Sequence, residues 1–215
     1  MQGLLLSQNR REFCTTMLVG AGATLVARPA RAQAPSNEEL MQPGPLGEQA
    51  LGNAEAPVTL IEYASMTCTH CANFAVKVYP TLKSKYVDTG KVRYIMREFP
   101  LDPLAAAGFM LARCAGDKYF DVVDALFHAQ EKWAFVREPL PPLLGLAKQF
   151  GFTEQTFDEC LANQKVLDGI EWVRQRGAEK FGVNSTPTFF INGKIQRGEI
   201  DANSLDQLFQ PYLKS

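Results

Sequence analysis

The stretch Val58-Thr59-Leu60-Ile61-Glu62-Tyr63-Ala64-Ser65-Met66-Thr67-Cys68-Thr69-His70-Cys71 carries the reading from which the rest of the chain follows. Val58 to Tyr63 is β-branched and apolar on both parities, as in a central strand covered on two faces. The strand runs into two cysteines separated by two residues. Beyond them Phe74, Val78, Leu82 and Tyr86 recur at four-residue steps, which predicts an amphipathic helix to about Val87 with a kink at Pro80. A Cys-x-x-Cys pair at such a junction has a specific physical use. The first sulfur sits at the positive end of the helix dipole beside unpaired backbone donors, which favours a thiolate at Cys68. His70 adds a cationic or hydrogen-bonding group one turn away. Two thiols at this spacing close a small disulfide ring and reopen it, storing two electrons.

Downstream, Asp88 to Gly90 ends the helix, and Lys91 to Phe99 alternates and is rich in Val, Tyr and Ile. This predicts a second strand parallel to the first. Pro100 and Pro103 break the pattern. From Leu104 to about Phe181 the period is helical, with Leu111, Phe120, Val123, Phe127, Leu143, Leu146, Val166, Ile170 and Val173 among its apolar positions. Gly182 is placed to cap the last of these helices. Thr188-Phe189-Phe190-Ile191 and Lys194-Ile195-Gln196 flank Asn192-Gly193, a strong hairpin signal, and Leu205, Leu208 and Leu213 suggest a terminal helix. Strand, helix, strand, helical insertion, hairpin and helix, without internal repeats, make a mixed α/β layered fold.

Upstream, residues 35–55 carry Pro35, Pro43, Gly44, Pro45, Gly47 and Gly52 among polar residues and read as an extended lead-in. Residues 1–34 read as a signal peptide. Arg10 and Arg11 precede an apolar run from Met17 to Ala27, and Ala32-Gln33-Ala34 offers a small-residue site for cleavage after Ala34. The run is short of the roughly 20 residues that span a bilayer. Asn9-Arg10-Arg11-Glu12-Phe13 resembles the twin-arginine export signal, so the mature chain is expected outside the cytoplasm. Cys14 is expected to leave with the signal. Cleavage removes four arginines and one glutamate and takes the net charge from −1 to −4, with no basic patch to suggest nucleic acid. Four cysteines remain, and in an oxidising compartment an even number points to paired chemistry.

Glu62-Tyr63-Ala64-Ser65-Met66-Thr67-Cys68-Thr69-His70-Cys71, followed by Val183-Asn184-Ser185-Thr186-Pro187-Thr188-Phe189, resembles the DsbA-like branch of the thioredoxin superfamily. The resemblance extends over residues 50–215. It implies a thioredoxin-like fold at 56–215 with a helical insertion at about 101–180. It also implies that Cys68 forms mixed disulfides with substrates, that Cys71 is the buried resolving thiol, and that Pro187 is a cis-proline placing the Thr186 backbone beside the disulfide. Glu62 would lie under the site and assist proton transfer. Thr69 stands where many relatives carry proline or glycine, so the redox potential is not implied. Cys114 and Cys160 are candidates for a second, structural disulfide. The resemblance further implies a periplasmic monomer without bound cofactor or metal, acting on exported proteins with free thiols and reoxidised by a DsbB-like membrane protein. Two alternatives stay open: an isomerase or reductase held reduced by a membrane reductant, and a zinc-binding protein using Cys68 and Cys71 as ligands.

Overall fold

β2, Val58–Ala64, is almost wholly buried because it lies in the middle of a sheet with helices on both faces. It pairs in parallel with β3, Val92–Glu98, from Val58 opposite Val92 to Ala64 opposite Glu98, as a strand-helix-strand unit requires. On its other side it pairs antiparallel with β4, Thr188–Ile191. Two short strands complete the sheet: β1, Gln49–Leu51, lies antiparallel on β3, and β5, Lys194–Arg197, lies antiparallel on β4. The turn between β4 and β5 puts Asn192 at φ 44° and Gly193 at φ 82°, the left-handed pair that a two-residue hairpin of right-handed twist needs. The Asn192 side chain also accepts the Thr59 N–H at 2.7 Å and donates to the Pro57 carbonyl at 3.0 Å. The computed structural model describes residues 36–213; the expected signal at 1–34, with Cys14, lies outside them.

Strand parity divides the core. Leu60, Ala64, Tyr94, Met96, Phe189 and Ile191 face one way, into a large cluster with α2, Thr69–Lys77, and α10, Ser204–Leu213. The helical block shares this cluster: α4 Pro103–Cys114, α5 Tyr119–His128, α6 Gln130–Trp133, α7 Leu140–Lys148 and α8 Glu154–Leu161. Ile61, Tyr63, Ile95 and Phe190 face the opposite way, against Val173 and Phe181 of α9, Gln164–Phe181, and Leu40 of α1, Asn37–Met41. Gly182 at φ 66° caps α9. α9 is therefore shared. Ile170 packs with the helical block, whereas Val173 and Phe181 cover the sheet's second face.

One expectation is corrected and another is sharpened. The lead-in is not simply extended: Ser36 and Glu39 form a capping box that starts α1, and β1 joins the sheet. The helix after Cys71 is interrupted beside Pro80, where the sequence predicts a kink, and the interruption is a full break. Pro80 has no N–H to give, and the chain breaks at Val78 into α2, a short α3 at Tyr79–Leu82, and a wider π-type turn at Lys83–Val87.

Candidate active site

Cys68 is the N-cap of α2. Its backbone is extended, and its sulfur takes the place of the usual capping oxygen, accepting the Cys71 N–H at 3.2 Å. Cys71 lies one turn inside the helix, fully buried, and both cysteines are free thiols. The Thr186–Pro187 peptide is cis, and the Cys68 thiol donates to the Thr186 carbonyl at 3.3 Å. The Thr186 hydroxyl is buried with no partner, so it is free to donate to the sulfur once that is a thiolate.

These contacts push the two thiols apart. The Cys71 side chain donating to the Cys68 sulfur, helped by the Thr186 side chain and the N–H groups of Cys71 and His70, lowers Cys68 to about 6. Burial opposes the shift without cancelling it. Cys71 goes well above the ordinary range, because burial and then the neighbouring Cys68 and Glu62 all disfavour a second charge. Glu62, on the α2 side of β2, is raised to about 8 by burial, against the hydrogen bond it accepts from Tyr94 Oη at 2.6 Å. A cavity of about 20 Å³ borders it, lined by Phe74, Tyr79, Tyr94 and Asp124 among others, room for a single water.

Thr69 and His70 are exposed on the first turn of α2. His70 Nδ1 lies 2.5 Å from Glu199 Oε1, and the carboxylate raises the imidazole's proton affinity first by that hydrogen bond and then by its charge. The exposed His128 ring meets Asp124, one turn earlier on its own helix. Cys114 and Cys160 are bonded to each other, joining the end of α4 to α8 with Cα atoms 6.2 Å apart. They are thus not thiols that could join Cys68 and Cys71 around a metal. No group of three or more His, Cys, Asp or Glu side chains with metal-binding geometry occurs among the described residues.

Sequence reasoning missed three contributors. Buried Gln130 of α6 donates to the carbonyls of Met66 at 2.8 Å and Cys68 at 3.0 Å, holding the loop that delivers the first cysteine. Asp102 accepts from Thr67 Oγ1 at 2.5 Å while its other oxygen caps α4, and Ser65 Oγ accepts the Leu101 N–H, so the entry to the helical block is tied to the same loop. Glu199 reaches His70 from the loop after β5. None has a local signal except Asp102, whose place before Pro103 is a recognisable helix start.

The chain matches known proteins along most of this architecture. The family model described as Thioredoxin matches residues 46–210. The crystal structure of Wolbachia pipientis alpha-DsbA1 superposes with a TM-score of 0.76 at 31% identity, covering 83% of this chain and 96% of that one. A Rickettsia typhi protein named as a protein-disulfide oxidoreductase is 31% identical over 173 residues, which cover 78% of this chain but 64% of the relative. A Bacillus anthracis protein named as a disulfide bond formation protein D is 27% identical over 72% of this chain and 74% of its own. The chain thus spans less than two thirds of the Rickettsia relative. With the family match over most of its length, and with a strand, a capping cysteine and a cis-proline brought together as described, the chain belongs to the thioredoxin family, in its DsbA-like branch.

Proposed function

We propose that the protein is an exported disulfide donor, and that Cys68 is its exchanging sulfur. The observation carrying this reading is the opposition between the two thiols: Cys68 lowered to about 6 at a helix N-cap, Cys71 raised by burial. In the oxidised enzyme a substrate thiolate attacks the Cys68 sulfur, the Cys68–Cys71 bond breaks, and Cys71 leaves carrying the electron pair. A buried thiolate with so high a proton affinity takes a proton at once. Glu62, at about 8 still mostly protonated at neutral pH, is the acid placed to supply it. A second substrate thiolate then attacks the substrate's own sulfur in the mixed disulfide, forming the substrate disulfide and releasing Cys68. Cys68 is the better leaving group because its thiolate is stabilised, which also favours the reduced enzyme and makes the oxidised form a strong oxidant.

Substrate backbone would pair beside Thr186, and exported proteins with free thiols are the substrates this chemistry serves. The chain acts as a monomer in the periplasm after twin-arginine export and cleavage behind Ala34. A DsbB-like membrane oxidase restores its disulfide, and no resident cofactor takes part. The test is to quench living cells with acid, tag free thiols with a mass label and locate the labels. Oxidised Cys68 and Cys71 support the donor reading. A mainly reduced pair overturns it in favour of isomerase or reductase duty.

A further inference from the structure

The loop between β5 and α10 makes its polar contacts to the redox helix through Glu199. Glu199 Oε1 meets His70 Nδ1 at 2.5 Å and accepts from Asn73 Nδ2 at 3.3 Å, and both partners project from the helix capped by Cys68. One residue earlier, Gly198, at φ 80°, gives its N–H to the Pro187 carbonyl at 3.0 Å. The loop is thus anchored twice to the site, by backbone to the Thr186-Pro187 turn and by carboxylate to the Cys-x-x-Cys helix. We propose that Glu199 is a positioning residue, which fixes the His70 ring with Nδ1–H on the carboxylate and so holds the imidazole at the helix end that Cys68 caps. The proposal rests on Cys68 being the exchanging sulfur.

A histidine whose one nitrogen is committed to a carboxylate keeps its proton and its orientation, the arrangement by which a third group aligns a catalytic base. His70 is shifted upward by Glu199 and, to a lesser degree, by the charge on Cys68, which places the ring within electrostatic reach of the sulfur. Other charges stand around the pair. Lys77 of α2 acts on Glu199, and Asp201 lines the same groove as Asn73 and Lys77. Glu131, Lys132 and His128 line the groove on the far side of Thr69 and Asn73. Both members of the pair are more than half exposed, at 64% and 51%, so salt weakens their interaction.

The prediction has a pH signature. In Glu199→Gln the ring returns to about its ordinary 6.5. Near pH 7.5 the ring is then less protonated than in the unaltered protein, and Cys68 loses part of the positive charge near it. Near pH 5.5 it is protonated with no carboxylate to offset it, and the thiolate is at least as well stabilised as in the unaltered protein.

The experiment follows the Cys68 thiolate by ultraviolet absorbance and the equilibrium with glutathione, for the unaltered protein, Glu199→Gln, His70→Ala and the double variant. Thermal melting checks folding. At about pH 7.5 and low salt, Glu199→Gln is expected to be roughly threefold less oxidising, within the range of exposed ion pairs. The difference disappears or reverses near pH 5.5 and shrinks at ~1 M salt, where the screening length is ~3 Å. On the His70→Ala background the second substitution gives no further loss of oxidising strength. A loss equal at both pH values, a loss that persists without His70, or no loss at pH 7.5 overturns the proposal. A reduced Cys68–Cys71 pair in cells would instead overturn the donor reading and leave these in-vitro equilibria untouched.

Discussion

Glu62 is a buried acid that the fold holds at its own expense, and replacing it is expected to stabilise the reduced protein in a pH-dependent way. The carboxyl is 1% exposed and accepts one hydrogen bond, from Tyr94. Burial raises it from 4.5 to about 8, with the charge on Cys68 as a smaller cause. A group whose folded-state proton affinity exceeds its unfolded one binds more protons when folded, so stability falls as pH rises between the two values. Below about 4.5 there is no penalty; above about 8 it is complete. Holding the proton roughly 3,000-fold more tightly in the folded state corresponds to about 5 kcal/mol at the plateau and about 3 kcal/mol at pH 7. Glu62→Gln keeps the shape and an oxygen that accepts from Tyr94 while removing the titration.

The assay is urea unfolding of the reduced protein and of Glu62→Gln from pH 4.5 to 8.5. The two are expected to differ little at the acid end and to separate steadily, with the variant about 3 kcal/mol more stable near neutrality. In the oxidised protein, where Cys68 carries no charge, the separation is smaller. A stability difference that does not change with pH would refute the reasoning, because it would mean that Glu62 titrates alike in the folded and unfolded chain. The same variant is expected to slow thiol exchange, since Cys71 then lacks the proton donor proposed for it. Greater stability with slower exchange separates this role from a purely structural one.

Three further outcomes follow from the geometry. Alkylation of Cys68 by iodoacetamide should rise with pH to half its maximum near 6 and level off above it, since only the thiolate reacts; a midpoint near the ordinary cysteine value would contradict the stabilisation described. Replacing Cys114 and Cys160 by alanine reopens a loop of 46 residues' separation and should lower stability by up to about 4 kcal/mol while leaving Cys68 reactive, and unchanged melting would refute it. Gly177→Ala puts a methyl 2.7 Å from Tyr63, a ring locked between Phe99 and Phe190, and should destabilise by about 1–3 kcal/mol in denaturant unfolding; a neutral result would show that α9 shifts freely.

The strand, the cysteine pair and the hairpin were legible because each has a local signature: apolar residues on both parities, Cys-x-x-Cys before a helical period, and Asn-Gly between β-branched runs. What escaped depends on partners far along the chain. β1 is three residues held by backbone bonds to β3, which leave almost no trace in side-chain pattern. α1 buries a single leucine, and only its capping box marks it. Gln130 lies 62 residues from the cysteine whose carbonyl it holds, and Glu199 lies 129 residues from His70. A buried glutamine or an exposed glutamate carries no sign of its partner until the fold brings the two together. α9 reads as one more helix of the insertion, yet Val173 and Phe181 belong to the sheet's second face.

The sheet register is therefore part of the chemistry. Along β2, Leu60, Glu62 and Ala64 face α2, whereas Ile61 and Tyr63 face α9. This parity sets the carboxyl beneath the helix that carries Cys71 and within reach of the Tyr94 hydroxyl from β3. The pairing of Glu62 with Met96 and Phe189 on its two neighbours fixes it there. A slip of one residue would turn Glu62 toward Val173 and Phe181 and offer an aliphatic or aromatic side chain to Cys71, removing the acid proposed to serve it. The Cys71 side chain, helped by Thr186 and the N–H groups of the helix terminus, explains why Cys68 ionises readily. Only the strand beneath, in this register, offers the proton source proposed for a thiol as deeply buried as Cys71.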